Sequence, residues 1–99
     1  MEVAEATTLL ENAFRDAFRR KLRAQTPSYA AALAEIRGGA EALTVALKGS
    51  GATPEAVVVE LKRIARVSGG FDYPRDLVSI AMTEAISVYF RQPPDNPVT

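Results

Sequence analysis

The reactive inventory of this sequence is narrow. Twelve Asp and Glu and twelve Lys and Arg supply its charge, while histidine and cysteine are both absent. Histidine is the commonest general base near neutral pH and the commonest transition-metal ligand, and cysteine supplies the thiolate nucleophile and the thiolate metal sites. Zinc fingers, Ser-His-Asp and Cys-His hydrolases, disulfide scaffolds and phosphate acceptance on histidine are therefore excluded. What remains is chemistry by carboxylates, for which Glu35, Glu41, Glu60 and Glu84 are the candidates. A carboxylate becomes a general acid or base near neutral pH when burial or a neighbour shifts its pKa. None of the four falls on the apolar stripe of its segment, so all read as solvated surface charge. Gly49-Ser50-Gly51 lacks the second glycine and the Lys-Ser/Thr pair of a phosphate loop. The expectation is a protein that is not an enzyme, with no catalytic residue, no metal and no cofactor.

Two features point to binding rather than catalysis. The first is basic. Arg15, Arg19, Arg20, Lys21 and Arg23 surround the single Asp16, with Phe14 and Phe18 interleaved. A basic amphipathic helix can follow a phosphate backbone or an anionic surface, so Arg15, Arg19 and Arg23 form a candidate anion or nucleic-acid face. The competing explanation is helix polarity. Glu2, Glu5 and Glu11 precede this cluster; Glu55 and Glu60 precede Lys62, Arg63 and Arg66; Asp72 and Asp76 precede Arg91. Acids near helix starts and bases near helix ends complement the macrodipole, by about 0.3–1 kcal/mol each. One mechanism accounts for all three blocks, and the phenylalanines lie on the core stripe instead of the arginine stripe. Structural charge ordering is the preferred reading.

The second feature is an apolar surplus near the C-terminus. Leu77, Val78, Ile80, Ala81, Met82, Ala85, Ile86, Val88, Tyr89 and Phe90 cover more than half of a helical circumference, where packing on one side requires an arc of roughly 100°. Either this helix is central, or part of it packs on another chain. Val59 and Val67 also fall off the main stripe of their segment. Val59, Val67, Met82, Ile86, Tyr89 and Phe90 therefore form the candidate partner interface, with methionine and aromatics the types enriched at such surfaces. A third feature, Gly69-Gly70-Phe71-Asp72-Tyr73-Pro74, has the types to line a small-molecule pocket, but reads more simply as an apolar plug closing one end of the fold.

The elements that must position these residues are helices. A chain of 99 residues forms one domain with a modest core, and 17 alanines make its apolar content helix-forming and low in buried area per residue. Residues 3–24 show a three- and four-residue apolar rhythm from Val3 to Leu22. Thr26-Pro27 starts a second segment, with Tyr29, Leu33, Ile36, Ala40, Leu43 and Leu47 at spacings of 4, 3, 4, 3 and 4. Gly38-Gly39 interrupts its composition but not its phase, so one helix is preferred over two. Thr53-Pro54 starts a third segment reaching Val67, and residues 74–91 form a fourth. Gln92 to Thr99, with prolines at 93, 94 and 97, reads as a flexible tail.

The sequence thus predicts an all-α, antiparallel, up-and-down bundle of four helices, or five if Gly38-Gly39 breaks the second. Residues 1–91 form a single helical-bundle domain, and 92–99 a disordered tail. The expected core is Leu10, Phe14, Ala17, Leu33, Ile36, Leu43, Leu47, Leu61, Ile64, Leu77, Ala81 and Ile86. The longest apolar runs fall far short of the ~20 residues that span a bilayer, and the acidic start has neither the charge nor the apolar run of a signal peptide. A cytoplasmic protein without a membrane span is expected. The leading functional expectation is a non-catalytic helical interaction or self-assembly module, a homo-oligomer (a dimer) or the ligand of a protein partner. The alternatives are a nucleic-acid-associated regulator and a small-molecule-binding bundle.

Overall fold

The computed structural model describes residues 2–22, 26–69 and 75–91. They form four helices, α1 (Val3–Leu22), α2 (Thr26–Gly49), α3 (Pro54–Gly69) and α4 (Arg75–Arg91), and there is no strand among the described residues. The Pro-rich tail lies outside them, as do Arg23 and residues 70–74.

Local sequence chemistry sets the helix ends. At the start of α1 the Glu5 carboxylate accepts from the backbone N–H of Glu2 at 3.1 Å, which is one half of a capping box. Thr53 caps α3: its hydroxyl oxygen accepts from the Ala56 N–H at 3.2 Å, and Pro54 occupies the first helical position, where a missing N–H costs nothing. The end of α2 is a Schellman turn. The Gly51 N–H donates to the Lys48 carbonyl and the Ala52 N–H to the Leu47 carbonyl, both at 3.0 Å. Gly51 takes φ = +95° there, a conformation closed to most side chains.

α2 runs unbroken through Gly38 and Gly39, and packing explains why. A Cβ on Gly39 would lie 3.1 Å from both Cα and Cδ1 of Leu10 on α1, whereas a Cβ on Gly38 would meet open space. Gly39 therefore sits where α1 and α2 come close together, with no room for a side chain unless Leu10 shifts. Ala6, Leu10, Ala13, Phe14 and Ala17 of α1 are buried with Ala32, Ile36, Ala40 and Leu43 of α2, a seam made mostly of small residues.

The chain reverses direction at each connection. Leu10 lies against Gly39, and Asn12 and Asp16 share a groove with Glu35, so numbering rises along α1 as it falls along α2. Pro54 and Val58 at the start of α3 face Ile86 and Tyr89 near the end of α4, so that pair is antiparallel too. The two hairpins then combine in an order that short connections did not suggest. α2 packs on α1 and α4, α3 packs on α1 and α4, and α2 and α3 touch little although only residues 50–53 separate them. Arg37 shares a hollow with Ser79 and Thr83, and Lys48 reaches Tyr89. These contacts run in the same sense, so α2 and α4 are parallel neighbours and α2 and α3 stand on a diagonal.

Of the expected core, Leu10, Phe14, Ala17, Ile36, Leu43, Leu61, Ile64, Leu77 and Ala81 are buried. Leu33 and Leu47 are half-buried against it. Ile86 is a correction: it is 44% exposed, because α4 buries Ala81, Ala85 and Val88 and turns Ile86 outward. Thr44 is buried inside α2, its hydroxyl donating to the Ala40 carbonyl at 2.7 Å. That bond satisfies the hydroxyl where no water reaches.

The two glycines should respond oppositely to substitution. Gly38→Ala is expected to raise unfolding stability by about 0.5–1 kcal/mol, through helix propensity alone. Gly39→Ala should lower it, and Gly39→Val should lower it further, by about 1–3 kcal/mol from overpacking against the Leu10 backbone. Urea unfolding followed by circular dichroism measures both; equal effects at the two positions would contradict the close approach.

Candidate interaction surfaces

The site with the most specific geometry lies where the start of α3 meets the end of α4. It is built outward from Lys48, the last basic residue of α2. The Lys48 Nζ donates to the Tyr89 carbonyl at 2.6 Å and sits 4.7 Å from the centre of the Tyr89 ring. α4 ends at Arg91, so the Tyr89 carbonyl is one of its last four, which have no donor within the helix. The ammonium satisfies it and places positive charge at the negative end of the α4 dipole. Tyr89 is fixed a second time, because its hydroxyl donates to the Ala52 carbonyl at 2.7 Å. The connection between α2 and α3 is thereby tied to the end of α4.

Phe90 follows directly. Its ring meets that of Tyr89 edge to face, with centroids 5.2 Å apart and planes at 63°. Tyr89 is held and half-buried against the core, whereas Phe90 is 69% exposed. Beside it Val59 of α3 is 66% exposed. Phe90, Val59, Ile86, Val58, Pro54 and Glu55 line an open groove of about 500 Å³. Glu55 is its one charged member.

The six residues of the expected partner interface therefore divide. Val59, Ile86 and Phe90 come together on this groove. Tyr89 lies beneath it as the anchor of Phe90. Met82 is half-buried against the core. Val67 is exposed but stands two turns from Val59, off the groove. Sequence reasoning missed the Lys48–Tyr89 and Tyr89–Ala52 bonds, which join positions 41 and 37 residues apart. The one available signal was Lys48 in the last turn of its helix.

The basic face looks different in three dimensions. Arg15 and Arg19 are exposed on α1, but they line a groove of about 560 Å³ together with Asp16 and Glu35. Mixed charge of this kind does not build the single-sign potential that holds a phosphate backbone. Arg23 lies outside the described residues, as do Phe71 and Tyr73 of the expected pocket. On α3, Arg63 pairs with Glu60, donating from Nε at 3.1 Å and also from a terminal guanidinium nitrogen. That hydrogen bond holds the Glu60 carboxyl below its ordinary range. Among the described residues no group of three carboxylates lies close enough to hold a metal ion, and no helix is long and apolar enough to cross a membrane.

No family model, curated protein or solved structure matches this chain.

The clamp under Phe90 is testable by itself. Tyr89→Phe keeps the ring and removes only the bond to Ala52, with an expected cost of about 0.5–1.5 kcal/mol. Lys48→Met keeps the aliphatic stem and removes the cap on α4, at about 1–2 kcal/mol. Both are read by chemical unfolding. Hydrogen exchange should show faster opening in the last turn of α4 for Lys48→Met, and an unchanged last turn would refute the capping role.

Proposed function

We propose that this protein is a non-catalytic helical interaction module that acts by self-association, in a cytoplasmic setting. The observation behind the reading is the groove formed by Val59, Ile86 and Phe90. Three large apolar side chains from two helices stand together in solvent, and the most exposed of them is backed by a ring that is hydrogen-bonded in place. Scattered single apolar residues are normal on a protein surface, while a contiguous group marks a contact. A rigid aromatic also loses little entropy on binding, which is why aromatics dominate the energetics of interfaces. The nucleic-acid reading is weaker, because Asp16 and Glu35 share the groove of Arg15 and Arg19.

A concentration series by sedimentation velocity or light scattering tests the proposal. The full chain should associate reversibly. Phe90→Lys and Val59→Lys should abolish association and leave helicity and unfolding stability within about 1 kcal/mol of the parent, since both side chains are largely in water. A chain that stays monomeric at every concentration, or variants that associate as the parent does, would overturn it.

A further inference from the structure

The outer face of α3 carries exposed acid at one end and exposed base at the other. Glu55, Val59, Lys62 and Arg66 follow each other at spacings of 4, 3 and 4, so they stand in one row along the helix. All four are exposed. The row begins at the apolar groove, where Glu55 and Val59 are lining residues beside Phe90. It spans about 16 Å at 1.5 Å per residue. Arg63 and Glu60, one step around the helix, are spent on each other. Glu55, Lys62 and Arg66 have no hydrogen bond or ion pair among the described residues. Acid stands at one end of the row, base at the other, and the spacing is the same read from either end.

We propose that the occupant of this face is a second copy of the same chain, packed α3 against α3 in antiparallel sense about a twofold axis. With the axis through the middle of the row, Glu55 of each copy faces Arg66 of the other, and Val59 faces the aliphatic stem of Lys62. The contact is isologous, so each favourable pair occurs twice. A parallel arrangement sets Glu55 on Glu55 and Arg66 on Arg66, which like-charge repulsion disfavours. The charges thus select orientation, and at each end of the row the apolar groove beside Glu55 and Val59 covers the aliphatic stems of the partner's Lys62 and the partner's Arg66. This rests on the self-association reading above and adds to it the partner's identity and its direction.

Charge exchange between two variants tests the orientation. Glu55→Arg alone and Arg66→Glu alone each place like charges opposite one another twice, and each should weaken self-association by about tenfold or more. An equimolar mixture of the two restores both pairs between unlike chains, so it should form a heterodimer of about the parent's affinity, and added salt should weaken that heterodimer. Glu55 also sits in the first turn of α3, where its reversal costs some helix stability, but recovery on mixing cannot arise from that. If the parent and the mixture both associate while the single variants associate equally well, the antiparallel row is wrong and the apolar contact stands. If the single variants weaken and the mixture does not recover, this pairing is wrong. If the parent is monomeric, or binds only some other protein, both proposals fall.

Discussion

Helices α1 and α2 can approach closely because Gly39 presents no side chain where a Cβ would press on the backbone of Leu10. That contact lies within the seam of α1 and α2, the most extensive helix pair of the bundle. On either side of it, Ala6, Ala13, Ala17, Ala32 and Ala40 are buried, and an alanine seam of this kind keeps two helices near each other over several turns. Close approach has a cost in area. Alanine removes little apolar surface from water, and hydrophobic stabilisation scales with area removed. The larger side chains Phe14, Leu10, Ile36, Leu43, Leu61, Ile64 and Leu77 must therefore supply most of the burial, and a domain of this size has few to spare.

A core of that kind explains why polar bonds matter at the far end of the molecule. α4 packs on α2 and α3, and its last turn is fastened by Lys48 and Ala52 acting on Tyr89. These bonds exist because α2 and α4 run parallel, which brings the end of α2 to the end of α4. A purely sequential arrangement of neighbours would set α2 and α4 on a diagonal, out of each other's reach, and leave the last carbonyls of α4 without this cation. The same fastening holds the ring that Phe90 meets edge to face. One packing decision, which hairpin edge meets which, thus produces both a helix cap and an exposed apolar groove.

Small domains often obtain further burial by sharing surface with another chain, and the face offered here combines fixed aromatic and aliphatic groups with a row of opposed charges. In the proposed self-association, apolar area would supply affinity and the charge row orientation, the usual division between these forces at protein contacts.

The amino-acid sequence by itself determined that the chain is helical, where three of its four helices begin, and that α2 continues through two glycines. These are local matters. Periodicity of 3.6, Thr-Pro starts and acid-to-base order within each helix act over a few residues, and the 4-3-4 phase across Gly38-Gly39 needed no knowledge of the partner helix. The sequence also showed that α4 has more apolar surface than one contact can use. Only the tertiary structure decided how that surplus is divided. Ile86 and Phe90 face solvent, whereas Met82 and Tyr89 lean on the core, and Asp16 and Glu35 break up the basic face of Arg15 and Arg19. It also decided that Gly39, and not Gly38, stands against another helix. The reason is physical: these outcomes depend on which helices become neighbours and at what distance. Contacts between residues tens of positions apart set that choice, and no local pattern encodes it.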